Sequence, residues 1–315
     1  MKVLVTGGSG FVGGALRASL DGSNHSMRLA LRLANAKSGI YDQVVVGQID
    51  AATNWSAALK DVDVVIHLAA RVHVMDEQSV DPLSEFRRVN VDGSLNLASQ
   101  AANAGVKRLI YLSSVKVNGE LTVPGQPFRE SDMANPQDAY GLSKFEAEQG
   151  LLLIAQETGM EVVIIRPPLV HGQGVKANFA SMMRMVKRGV PLPLGAIHNR
   201  RSFVYVGNLV SLITTCIHHP AAANQIFLVS DGCDLSTTQL FQACATALGV
   251  KSWLWPVPQG LIEGLAALVG KRDVAQRLCG NLQVDITKAR SLLGWAPTIS
   301  VADGLKTTAK AFSIR

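Results

Sequence analysis

The sequence predicts an α/β fold: a doubly wound parallel sheet with a smaller, mostly helical second domain. Three observations predict it. Six short apolar runs within residues 1–166 alternate with stretches of helical pattern. Those runs are continuous rather than alternating, as in strands buried on both faces of a sheet. A glycine-rich turn joins the first run to the first helical stretch, and glycine is abundant, 28 of 315 residues. Such an excess fits a fold with many tight strand-to-helix turns.

The elements follow in order. Residues 2–6 form the first run, and the helical stretch 11–20 comes after the glycines. Further strands are expected at 27–32, 43–47, 63–68, 108–112 and 161–166, with helices at 54–60, 82–104 and 139–158. After Arg166, prolines at 167, 168, 191 and 193 loosen the pattern. A helix is expected at 177–188, a loop at 191–200 and a buried strand at 202–206. A helix should then start near Asn208 and stop at Pro220, before another buried strand at 225–229. Residues 231–315 read as mostly helical. The expected division is 1–166 plus about 203–230 for the sheet domain, and about 167–202 plus 231–315 for the smaller one.

Composition excludes several classes. Charged residues make up 17% and apolar residues 48%, enough for a large core, which argues against disorder. The net charge is 30 − 24 = +6. The basic residues are scattered, with only pairs such as Arg87-Arg88 and Arg200-Arg201. That argues against nucleic acid and suits an anionic small substrate. The stretch 202–230 lacks Asp, Glu, Lys and Arg, but Gly207-Asn208 and Pro220 break it, so no membrane insertion is expected. The N-terminus has no secretory h-region, and four cysteines without C-x-x-C spacing read as reduced thiols. The expected location is cytoplasmic. Metal is not expected, because the histidines and cysteines lack ligand spacing.

The turn Thr6-Gly7-Gly8-Ser9-Gly10-Phe11-Val12-Gly13 follows a strand and opens a helix. In that context it reads as a Rossmann-type fingerprint, with free N–H groups at a helix N-terminus for a pyrophosphate. An acidic residue at the end of the second strand would bond a ribose 2′-OH, whereas an arginine accommodates a 2′-phosphate. Arg32 stands there, so NADP(H) is favoured over NAD(H). Tyr140 and Lys144 are four apart on a helix and share a face. A lysine beside a phenol favours phenolate and should lower the Tyr140 pKa, preparing it for proton transfer at a carbinol oxygen. Ser114 follows the fifth strand, at the sheet edge where ligands sit.

With these residues in hand, the sequence resembles the extended short-chain dehydrogenases/reductases, and among them the NAD(P)-dependent nucleotide-sugar epimerases, dehydratases and reductases. Gly7, Gly10 and Gly13 match the fingerprint, and His67-Leu68-Ala69-Ala70 the fourth-strand motif. Asn90-Val91-Asp92-Gly93-Ser94 matches the following helix, and Ser113-Ser114 with Gly119 the serine motif. Arg166-Pro167-Pro168-Leu169-Val170-His171-Gly172 resembles R-P-x-x-V-Y-G, and Arg201-Ser202-Phe203-Val204-Tyr205-Val206 a diphosphate-binding segment. Asp285-Ile286-Thr287-Lys288-Ala289 and Leu293-Gly294-Trp295 resemble the C-terminal D-x-S-K-A…L-G-W. Asn118, His171 and the Gln48-Ile49 pair depart from the usual pattern.

The resemblance implies a cofactor held by Gly7, Gly10, Phe11, Val12, Gly13, Arg32, Gln48, Ile49, Leu68, Ala69, Ala70, Asn90, Tyr140, Lys144 and Pro167. It implies catalysis by Ser114, Tyr140 and Lys144, and substrate contacts from Ser114, Lys116, His73, Asn178, Arg201 and Arg277. The substrate implied is a nucleotide sugar, UDP-linked, and the state a homodimer. The leading expectation is 4-keto reduction of a UDP-linked N-acetylated 6-deoxyhexosulose for surface polysaccharide, because Arg32 suits an exchanging NADPH. The alternative is a UDP-sugar 4-epimerase with retained NAD, and a more distant one a non-catalytic dinucleotide-sensing protein. Val115-Lys116 stands where family dehydratases carry Asp-Glu, which disfavours dehydration.

Overall fold

A computed structural model of the chain describes residues 1–33, 41–72 and 81–313. The elements of the N-terminal half are β1 (Lys2–Thr6), α1 (Phe11–Leu20), β2 (Ser26–Leu31), β3 (Asp42–Val45), α2 (Ser56–Leu59) and β4 (Val64–His67). Then come α3 (Pro82–Arg87), α4 (Gly93–Asn103), β5 (Arg108–Leu112), α5 (Ala139–Thr158) and β6 (Glu161–Arg166). The remainder is β7 (Leu169–His171), α6 (Ala177–Lys187), β8 (Phe203–Tyr205), α7 (Val206–His218), β9 (Ile226–Leu228), α8 (Thr237–Leu248), α9 (Gln259–Leu268), α10 (Arg272–Cys279), α11 (Thr287–Leu293) and α12 (Val301–Ser313).

Seven strands form one parallel sheet in the order β3-β2-β1-β4-β5-β6-β9. Alternate side chains of each strand feed opposite faces. Val3, Val5, Ile66, Ile110 and Val163 pack under α1 and α7, with Leu16, Leu209 and Ile213. Leu4, Val65, Leu109, Tyr111 and Ile164 pack under α4 and α5, with Leu97, Ala101 and Leu151. Because both faces are covered, the strands need apolar residues at every position, and this is why their runs are continuous. The strand order reverses between β1 and β4, so a crevice opens beyond the carboxyl ends of those strands.

Buried cations staple the helices to the sheet. Arg28 on β2 pairs with Asp42 at 2.7 Å and donates to the carbonyls of Ala58 and Lys60 at the end of α2. Arg108 on β5 donates to the carbonyls of Cys216 and His219, which fixes the end of α7. Both guanidiniums thereby satisfy the orphan carbonyls of a helix C-terminus.

Several elements differ from the sequence expectation. The third strand is Asp42–Val45, and the helix expected at 54–60 contracts to α2. The long helix expected at 82–104 is interrupted by a π-helical segment, Arg88–Asp92, between α3 and α4. The strand read at 202–206 exists as β8, but it pairs with β7 in a separate two-stranded parallel sheet. Pro167 and Pro168 break the chain after β6, and β7 was not legible because only three residues form it. Behind this small sheet, α6, α8 and α12 close a third apolar core around Phe179, Met183, Phe241 and Leu305.

Candidate active site

The glycine turn is built by close backbone packing. Gly7 has φ +68°, and a Cβ on Gly13 would fall 2.2 Å from the Gly7 carbonyl oxygen. Larger residues are therefore excluded, and α1 is pulled tight against the end of β1. Gly10 caps α1 without any side-chain hydrogen bond. The first-turn N–H groups, starting at Phe11 and Val12, thus have no side-chain cap competing with an anion. This cradle fits a dinucleotide pyrophosphate. A Cβ on Gly7 would also lie 2.7 Å from the Ala69 nitrogen, so the Leu68-Ala69-Ala70 backbone forms the neighbouring wall. The Ala69 amide donates to Thr6 Oγ1 at 3.2 Å. His67 bonds Thr6 at 2.6 Å and Ser94 at 2.9 Å, and burial pushes its pKa down to about 3, so the ring is neutral.

Asn90, expected at the cofactor, is buried and bonded to Arg71 and Ser143. Its Oδ1 accepts from the Arg71 amide at 2.8 Å, and its Nδ2 donates to the Arg71 carbonyl and to Ser143 Oγ, both at 3.0 Å. It acts on the crevice through the loop it holds. Gln48 and Ile49 follow β3, and Ile49 packs on Gly93 at the start of α4. Arg32 is exposed one residue beyond β2. Pro167 lies just past β6, its carbonyl accepting from the Val115 amide at 3.0 Å.

Ser114, Tyr140 and Lys144 converge at the carboxyl end of β5. Ser114 caps a 3-10 turn, Val115–Val117, by accepting from the Lys116 amide. Tyr140 occupies the first turn of α5, which Asp138 caps, and Ser114 is close enough to its hydroxyl to favour the phenolate. Lys144, one turn on, is fully buried and donates to the Leu112 carbonyl at 2.9 Å and the Tyr111 hydroxyl at 3.1 Å. Burial pulls the Lys144 pKa down to about 7, opposed by Glu148. The expected lowering of the Tyr140 pKa is corrected here. Burial first, and then the Asp138 charge, push it well above its usual value, while only Ser114 acts downward. The Lys144 ammonium is spent on Leu112 and Tyr111, so desolvation wins.

A buried network under these residues escaped the sequence reading. Arg166 pairs with Glu148 at 2.5 Å, and Glu148 accepts from Ser113 Oγ at 2.5 Å. Arg166 also donates to Asn118 Oδ1 at 3.0 Å, and Asn118 Nδ2 to the Arg129 carbonyl. The network ties β6, α5 and the serine turn together. Its one visible signal was Asn118, the departure from the usual tyrosine.

The expected substrate contacts are dispersed. Lys116 is ion-paired with Asp138 and with Glu120. Arg201 is largely buried, pairs through its backbone with Leu235 and Leu282, and donates to the Gly280 carbonyl at 2.9 Å. Next to it lies a cleft of about 500 Å³ whose walls include His198, Asn199, Arg200, Gln259 and Gln283. Ser114, Tyr140 and Lys144 are not among its lining residues. Asn178 is exposed in the first turn of α6, and Arg277 in the last turn of α10. His73 lies outside the described residues. Among the described residues no cluster of His, Cys, Asp and Glu could hold a metal, and no helix is long and apolar enough to cross a membrane.

Residues 3–230 match the family described as "NAD dependent epimerase/dehydratase family". The chain belongs to that family. It is therefore an extended short-chain dehydrogenase/reductase, as its motifs implied. A UDP-glucose 4-epimerase of Vibrio cholerae is 50% identical over 314 residues, covering 99% of this chain and 95% of the relative. An N-acetyl-alpha-D-glucosaminyl-diphospho-ditrans,octacis-undecaprenol 4-epimerase of Escherichia coli O157:H7 is 29% identical, covering 98% and 94%. The solved structure of a Thermotoga maritima UDP-glucose 4-epimerase with UDP-glucose superposes with TM-score 0.79 at 25% identity, covering 99% and 98%.

Proposed function

We propose that this family member is a 4-epimerase of a UDP-linked hexose, oxidising and re-reducing C4 with a nicotinamide dinucleotide that stays bound. The observation that carries the reading is the convergence of Ser114, Tyr140 and Lys144 beside the glycine cradle, in a chain half identical to a UDP-glucose 4-epimerase. The Gly7–Gly13 turn would hold the dinucleotide, which when bound would supply reversible hydride transfer at C4. In its ionised form Tyr140 Oη takes the proton of the C4 hydroxyl, and it gives that proton back after the sugar turns. Ser114 Oγ shares that oxygen and fixes its direction. Lys144 stands near neutrality, and in its charged form it favours tyrosinate. Arg201 supplies the cation for the UDP diphosphate.

A second reading, net reduction of a UDP-4-keto-6-deoxy-N-acetylhexosamine, is favoured by Arg32 at the ribose end of β2. The relatives rank it behind epimerisation, the reverse of the order drawn from the sequence. One experiment separates the two. The purified protein is incubated with UDP-glucose and with UDP-N-acetylglucosamine, with NAD⁺ or NADP⁺, and separately with the 4-keto sugar and NADPH. The proposal expects C4 epimers by NMR in the first incubations, without net cofactor consumption. Stoichiometric NADPH loss with the keto sugar, and no epimer from either UDP-hexose, would establish the reductase instead.

A further inference from the structure

The 3-10 turn Val115–Val117 and the first turn of α5 touch backbone to backbone. A Cβ on Gly141 would lie 3.0 Å from the Lys116 carbonyl oxygen and 3.2 Å from Lys116 Cβ. Across this contact Lys116 Nζ donates to Asp138 Oδ2, and to Glu120 Oε1 at 3.1 Å. Asp138 accepts from the Gly141 amide with its other oxygen, at 2.7 Å. One carboxylate therefore both caps α5 and receives Lys116. The Lys116 amide in turn donates to Ser114 Oγ at 3.2 Å. A bonded chain therefore runs from Ser114 through Lys116 and Asp138 to the Gly141 amide, in the turn of α5 that carries Tyr140.

The charges around Tyr140 make this bonded chain more than a brace. Asp138 acts on Tyr140 from the helix cap, Ser114 from the turn and Tyr111 from β5, while Lys116 meets Asp138 and Lys144, one turn on, meets Tyr111. The Phe86 ring of α3 meets Tyr140 edge-on at 5.9 Å, with Arg71 over the far ring at 5.6 Å. Asp138 is the anion that resists ionisation of the phenol. Lys116 is the cation in contact with that anion, and Glu120, which also acts on Arg201, shares it.

We propose that Lys116 and Asp138 are positioning residues, whose ion pair holds the Ser114 turn on α5 at the Tyr140 hydroxyl and screens Tyr140 from the Asp138 charge. The activity readout rests on the C4 reading above. Lys116→Met keeps the aliphatic stem and removes the charge, so the Tyr140 ionisation in the pH–rate profile should move up by about one unit. At neutral pH kcat should then fall about tenfold, with KM for the UDP-hexose almost unchanged. Asp138→Asn keeps the helix cap and should move the ionisation down. The double variant should return towards wild type, and Lys116→Arg should rescue.

An ultraviolet titration of tyrosinate, taken as the difference from Tyr140→Phe, reads the same shifts without substrate. Unchanged profiles in Lys116→Met, or a raised KM with an unmoved ionisation, would overturn the proposal and leave the C4 reading intact. If the wild type turns over no UDP-hexose, the C4 reading fails and the tyrosinate titration alone decides. Shifts of opposite sign in Lys116→Met and Asp138→Asn then support the positioning pair, and their absence overturns it. Should Lys116→Met fail to fold, Asp138→Asn and Lys116→Arg carry the same comparison.

Discussion

On the proposed reading Tyr140 carries the reacting proton, and its surroundings hold that proton firmly in the free protein. Replacing it by Phe removes the acid but keeps the ring against Phe86. The expected loss in kcat is about 10²–10⁴-fold, with cofactor binding and fold retained, as fluorescence titration and circular dichroism would check. Lys144 has an opposite signature in stability. Its folded pKa of about 7 lies below the usual lysine value of 10.5, so the unfolded chain binds the proton more readily. Stability therefore rises with pH between these two values, and the burden of the buried cation is fully present below about 7. Lys144→Met should raise the melting temperature at neutral pH, with the gain fading towards pH 10.5, while abolishing turnover. A variant no more stable than wild type at pH 7 would show that Lys144 is not destabilising. If Arg32 takes a 2′-phosphate, NADPH should bind more tightly than NADH, and Arg32→Asp should reverse or erase the difference. Equal dissociation constants in the wild type would remove Arg32 from the ribose site. The placement of Ser114, Tyr140 and Lys144 at one strand end was legible in the sequence because their spacing is local. The raised Tyr140 pKa was not, because it depends on what buries the phenol and on Asp138, two residues away yet across a helix cap.

At the scale of elements, β6, α5 and the serine turn are joined by one buried ion pair. Glu148 and Arg166 are both essentially inaccessible, and Ser113 and Asn118 complete their bonds. Breaking such a pair from one side leaves an uncompensated buried charge, at a cost of about 3–5 kcal/mol. Glu148→Leu should therefore lower the stability measured by denaturant unfolding by that order, and Arg166→Met similarly. A loss below about 1 kcal/mol would mean that water reaches the site, as for exposed pairs. Asn118→Ala removes only the side bonds and should cost less. The strands and α5 were legible from continuous apolar runs and caps: Asp138 before the helix and Gly159, in the left-handed region at φ +75°, after it. The π-helical break at Arg88–Asp92 and the β7–β8 pair were not. A single π turn is too short to leave a pattern of its own, and so is a three-residue strand.

Across the whole molecule, the sheet delivers β1, β4, β5 and β6 to one edge, so the glycine cradle, the Ala69 wall and the Ser114 turn share one crevice. In the chain after Arg166, Arg201 bonds the Gly280 carbonyl beside a separate cleft, and on the proposed reading it takes the diphosphate. Cofactor and diphosphate cations thus belong to different parts of the fold and should separate in a single experiment. Arg201→Ala should raise KM for the UDP-hexose by tens-fold, from the loss of a charge-assisted bond worth about 1.5–3 kcal/mol, while NADPH affinity stays unchanged. An unchanged KM would make Arg201 a purely structural residue that ties Gly280 to Leu235. The central claim is the reversible reaction at C4 through Tyr140, and NMR of the product formed from UDP-glucose by the purified protein tests it most directly. The account predicts UDP-galactose growing to an equilibrium mixture, with no net change in the nicotinamide absorbance, and about 10²–10⁴-fold slower formation by Tyr140→Phe. Failure to form any C4 epimer from UDP-glucose or UDP-N-acetylglucosamine, or equal turnover by Tyr140→Phe, would contradict it.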